Sequence, residues 1–92
     1  MVPQHPIPQP GVNSPDSLKD GVYSNSVAVT HIKEEFVIDF MMITSPMGAV
    51  TARVIINPGH MKRIVSELHD DVVKYQEKFG KIASVKDPAK DI

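Results

Sequence analysis

The chain has 92 residues, a net charge of −1 and no cysteine. That length allows one domain. The charge gives no long-range attraction to nucleic acid or anionic membrane, and the missing thiols exclude disulfides and thiolate metal sites.

Residues 1–21 carry Pro3, Pro6, Pro8, Pro10 and Pro15, with Gly11, Asn13 and Ser14 between them. Proline fixes φ and removes a backbone donor, so this stretch is expected to be a disordered Pro-rich N-terminal arm. A polyproline ligand for an aromatic groove is the alternative reading. The arm has no apolar signal-peptide core, and no run in the chain approaches the ~20 apolar residues of a membrane span. A cytoplasmic protein without membrane contact is the expectation.

Three β-rich runs follow, Tyr23–Ile32, Glu35–Ile43 and Ala49–Asn57, dominated by Val, Ile, Phe and Thr. Lys33-Glu34 separates the first two. Thr44–Gly48, with Pro46 and Gly48, is the stronger turn signal. A hairpin closed there pairs Ile43 with Ala49, Met42 with Val50, Phe40 with Ala52, Ile38 with Val54 and Phe36 with Ile56, which makes one face apolar at every pair. The other face pairs Met41 with Thr51, Asp39 with Arg53 and Val37 with Ile55. A tight first turn adds Val27, Val29 and His31 to the apolar face and makes the second run the central strand.

Asn57 suits a helix N-cap and Pro58 the first helical position. Met61, Ile64, Leu68, Val72, Tyr75 and Phe79 then recur every three or four residues, with Val65 beside them. Gly80 supplies the left-handed stop. The helix, about 33 Å at ~1.5 Å per residue, matches a nine-residue strand of about 30 Å. The predicted fold is α+β in the order β-β-β-α. A three-stranded antiparallel meander is followed by one long C-terminal helix packed on one face, in a domain over residues 22–82 with a flexible tail over 83–92.

One helix covers one face of a sheet. Val37, Met41, Ile43 and Ile55 are left on the other, around the Asp39–Arg53 pair, and a contiguous apolar patch on a small domain is a candidate interface. The two outer strands have free edges as well. A core of about sixty residues is marginal, and oligomerisation is a common remedy. A homodimer, face to face or edge to edge, is therefore expected, with Val37, Asp39, Met41, Ile43, Arg53 and Ile55 as the interface to the second copy or to a partner protein.

Catalytic and metal patterns are missing. His5, His31, His60 and His69 form no HExxH or paired-histidine spacing. Glu35 and Asp39 share a strand face but stand about 13 Å apart at ~3.3 Å per residue, and a glycosidase-like pair needs less than ~10 Å. No serine sits in a nucleophile elbow, and no glycine-rich loop is present to cradle phosphate. A non-enzymatic protein without a cofactor is the expectation. Arg53, His60, Lys62 and Arg63 near the helix start make anion or nucleic-acid binding the alternative, since helix N-termini favour phosphate. The slightly acidic chain and its few aromatics weigh against nucleic acid.

Tyr23, Asn25, Glu35-Phe36, Asp39-Phe40, Arg53-Val54, Pro58, Leu68, Tyr75, Glu77 and Phe79-Gly80 together resemble the small prokaryotic proteins grouped as domain of unknown function 3467. In that family an extended segment with an "EF…DF"-like motif precedes a proline-started helix that ends "Y…FG". Here Gln76 follows Tyr75 where the pattern has an acidic residue. The resemblance spans about Tyr23–Gly80 and implies no catalytic residue. A sheet with one long helix and a second apolar face is also loosely similar to export-chaperone subunits of the SecB kind, a likeness of fold alone. The expected function is a homodimerising protein-interaction module, chaperone-like in its exposed apolar surface.

Overall fold

The computed structural model describes residues 15–44 and 46–91. The expected Pro-rich arm lies outside that range over 1–14, as does turn residue 45. Where the described chain begins, Asp16–Leu18 forms one 3-10 turn after Pro15, and Asp16 and Lys19 pair across it at 2.7 Å.

Three strands follow, β1 (Ser26–His31), β2 (Phe36–Thr44) and β3 (Met47–Ile56), and then helix α1 (Pro58–Phe79). The sheet order is β1-β2-β3 with both pairings antiparallel, so the expected α+β meander with one C-terminal helix is the observed fold. The first connection closes with the Ile32 N–H donating to the Glu35 carbonyl at 2.9 Å. Its register places Val27 opposite Phe40, Val29 opposite Ile38 and His31 opposite Phe36, as the alternation requires. The His31 and Phe36 rings meet at 5.6 Å between centroids.

The second hairpin has the expected register from Phe36–Ile56 through Phe40–Ala52. Beyond that point the pairs become Met41–Val50, Met42–Ala49, Ile43–Gly48 and Thr44–Met47. The expected pairs Met41–Thr51, Met42–Val50 and Ile43–Ala49 are thus corrected by one residue. The strands run closer to Pro46 than a five-residue turn allows, and a β-bulge between Phe40 and Met41 absorbs the extra residue. Thr51 is that residue, and its hydroxyl donates to the Phe40 carbonyl at 3.1 Å. Because side chains alternate, the shift moves Val50 from the Phe36 face to the Val37 face. Gly48 then lies under Ile43, where an added Cβ would stand 2.5 Å from Ile43 Cδ1.

Helix α1 has the expected ends. Asn57 Oδ1 accepts the His60 N–H at 2.9 Å, Pro58 opens the first turn, and the Gly80 N–H donates to the Gln76 carbonyl at 2.9 Å. Gly80 has φ 97 and ψ 173, a positive φ with extended ψ, instead of the left-handed helical conformation expected there. The Gln76 side chain accepts the Ile82 N–H at 3.1 Å, a bond that the carboxylate of the family pattern would also accept.

The packing expected of this helix is corrected. It leaves the sheet instead of lying along the Phe36 face, and none of its residues is buried. Met61 and Ile64 are half-buried near its start, while Leu68 and Phe79 are 62% and 65% exposed. The cause is local. A residue before proline is held in extended backbone, and Asn57, the single residue joining β3 to α1, sits at φ −71 and ψ 157. The chain has no slack there to fold the helix back. Among the described residues the buried positions are Ile38 and Ser26.

Beyond the helix, the chain returns to the sheet. Ser26 Oγ donates to Asp87 Oδ1 at 2.7 Å, and the Ala89 N–H donates to the same oxygen at 2.9 Å. Pro88–Asp91 then forms a 3-10 turn. The segment expected to be a flexible tail is thus hydrogen-bonded to the first strand.

Candidate interaction surfaces

The bent-away helix leaves three apolar surfaces open. The first is the Phe36 face of the sheet, where Val27, Val29, Phe40, Met42 and Val54 are all exposed to more than a third of their area. The second is the stripe on α1, with Val65, Leu68, Val72, Tyr75 and Phe79 exposed. Near its end Tyr75 and Phe79 stack at 5.0 Å between centroids, and Lys78 Nζ lies 5.2 Å from the Phe79 centroid.

The third is the Val37 face, which carries all six residues expected at an interface. Val37, Asp39, Met41 and Ile43 of β2 are half-buried, whereas Arg53 and Ile55 of β3 are exposed, Ile55 to 60%. The bulge adds Val50 to this face, a member that strict alternation had assigned to the other side. Arg53 and Asp39 form a two-point pair across the strands. Nε donates to Oδ1 at 2.7 Å and Nη2 to Oδ2 at 2.9 Å. The bonds from Arg53 hold the Asp39 carboxyl below its ordinary range, and Asp39 in turn raises the Arg53 guanidinium. A parallel fork of this kind fixes both side chains and satisfies each charge on a face whose other members are apolar on β2 and β3 and small or polar (Ser26, Ala28, Thr30) on β1.

The same pairing bears on the alternative anion site. Arg53 is committed to Asp39, while His60, Lys62 and Arg63 remain exposed on the first turns of α1. Pro58 has no N–H, and the His60 and Met61 N–H groups bond to Asn57 at 2.9 Å each. In that turn Gly59 alone keeps a free N–H to offer an anion. Among the described residues no three potential metal ligands gather, and no helix is long and apolar enough to cross a membrane.

An open cleft of about 400 Å³ lies between residues 24–27, Phe40 and the returning segment 85–87. Its floor was not visible in the sequence. Asn25, a residue of the "Y-x-N" start of the family motif, sits there and bonds to the β2 backbone through its side chain. Ser26 and Asp87 close one side.

No curated protein and no solved structure matches the chain. The family described as protein of unknown function DUF3467 matches it over residues 2–84, which takes in the sheet, the helix and the motif residues from Tyr23 to Gly80, and the chain belongs to that family.

Proposed function

We propose that this DUF3467 protein is a non-enzymatic, cytoplasmic interaction module that homodimerises and offers the Val37 face to a partner protein. The carrying observation is the size of the core: among the described residues Ile38 is the one buried apolar side chain. Folding of a small domain rests on apolar burial, at about 25 cal/mol per Å², and one buried isoleucine with half-buried neighbours such as Phe36, Ile43 and Ile56 leaves little to set against the chain entropy lost. A second copy is the most economical source of the missing burial. The Val37 face supports the partner role. It combines apolar area with a charge pair that is already satisfied, so a partner can cover it without stranding a charge.

Sedimentation velocity of the full chain over a range of concentrations tests this reading. A dimer is expected, and Leu68→Asp should raise its dissociation constant by ten-fold or more, the effect of losing about 1.5–3 kcal/mol of side-chain burial. Ile55→Asp should leave the dimer intact, since its face is assigned to a different partner. A wild-type chain that stays monomeric at high concentration ends the proposal. The anion-binding alternative retains His60, Lys62 and Arg63, and it predicts binding that weakens steeply with added salt.

A further inference from the structure

We propose that the dimer forms by helix exchange: the apolar stripe of each α1 lies on the Phe36 face of the other chain's sheet. The inference deepens the dimer reading and rests on it. Two observations carry it.

The first is that one chain presents both halves of a single missing interface. The stripe Val65, Leu68, Val72, Tyr75 and Phe79 and the sheet residues Val27, Val29, Phe40, Met42 and Val54 are all exposed. From Ile64 to Phe79 the helix runs about 24 Å, and the nine residues of β2 run about 30 Å, so the surfaces fit end to end. The helix parts from its own sheet at the one-residue joint Asn57. That joint is set by the residue preceding a proline and by a side-chain cap, both local, so assembly has no need to bend it. Pairing the two helices with each other would still leave both sheet faces bare. Pairing the two sheets would leave both stripes bare. Reciprocal exchange about a two-fold axis covers all four surfaces with one repeated contact.

The second observation is area. The chain exposes 8284 Å². Even with residues 1–14, 45 and 92 given the full area of an extended chain, about 5800 Å² remains for the rest, against about 4600 Å² for a folded monomer of that mass. The surplus of about 1200 Å² exceeds the ~800 Å² per partner of a standard interface.

Disulfide trapping tests the geometry, because the chain has no cysteine of its own. Phe40→Cys and Val72→Cys stand near the middle of their surfaces, so they meet whichever way the helix runs. Differently tagged single-cysteine chains are co-expressed, oxidised and resolved by mass. The mixed Phe40→Cys/Val72→Cys product should dominate over either like-with-like product by several-fold. Val29→Cys with Leu68→Cys repeats the test should the first pair unfold, with helical circular dichroism as the check on folding.

A dominant Val72→Cys pair with itself means helix-to-helix dimers, and a dominant Phe40→Cys pair with itself means sheet-to-sheet dimers. Either one overturns exchange and leaves the dimer standing. So does a dimer that forms none of these links. A chain with both cysteines that closes on itself as a monomer, or a wild type that sediments as a monomer, removes exchange and dimer together.

Discussion

The side chain of Asn25 forms a closed pair of hydrogen bonds with the backbone of Ile43: Nδ2–H donates to the carbonyl at 2.9 Å, and Oδ1 accepts the N–H at 2.8 Å. A primary amide has a donor and an acceptor on one planar group, so here it acts as a strand residue would and lengthens the β1–β2 ladder past Ser26–Met41. Asn25→Ala removes both bonds. The expected loss is about 1–2 kcal/mol, from roughly 0.5–1.5 kcal/mol per hydrogen bond, read from the urea midpoint. Asn25→Asp should cost more, since a carboxylate cannot donate to the Ile43 carbonyl and instead faces it.

Ser26 and Asp87 are 61 residues apart in sequence, and their bond ties the end of the described chain to the sheet. Ser26 is buried, and a hydrogen bond to a charged group contributes about 1.5–3 kcal/mol. Ser26→Ala should lower stability by about that amount and release residues 85–91, seen as faster amide exchange there with the helix unaffected. Unchanged protection in that segment would show that other contacts hold it.

The Asp39–Arg53 pair sets a pH dependence. The folded-state pKa of Asp39 is depressed, so its contribution is complete above the unfolded value of about 3.9 and fades as pH falls below it. Arg53 is protonated in both states throughout and adds no window of its own. Wild type should therefore lose more stability between about pH 5 and pH 2 than Asp39→Asn does, and the two stability curves should converge toward the acid end. Parallel curves would mean that the pair adds nothing to folding.

Gly80→Ala isolates a backbone effect. An added Cβ meets no atom within 4 Å, so packing is not at issue. The conformation at φ 97 and ψ 173 is one that essentially glycine alone adopts, at a cost of about 1–3 kcal/mol for other residues. Thermal melts should show a loss in that range, and Gly59→Ala, in the first turn of the helix without a positive φ, should show none of it.

Much of the fold was legible in the sequence because its signals are local. Asn57, Pro58 and Gly80 marked the helix ends through capping chemistry that involves only their neighbours. The pairs from Phe36–Ile56 to Phe40–Ala52 followed from strict alternation of apolar residues, and the Asp39–Arg53 fork followed from that register. The bulge did not, since Val50 and Thr51 satisfy either register and only the closure of the turn near Pro46 discriminates between them. The role of Asn25 was hidden too, because an exposed asparagine before a strand carries no period. Ser26 and Asp87 meet across most of the chain, beyond the reach of any spacing rule.

The amino-acid sequence by itself determined which residues form strands and helix, where the helix starts and stops, and that a stripe from Ile64 to Phe79 must be covered. The tertiary structure alone decided that the stripe is not covered by its own sheet. Amphipathic spacing reports that a surface needs burial, since it reflects side-chain periodicity within one element. It carries no information about which surface supplies that burial, because that depends on how two elements are oriented across the one-residue joint at Asn57.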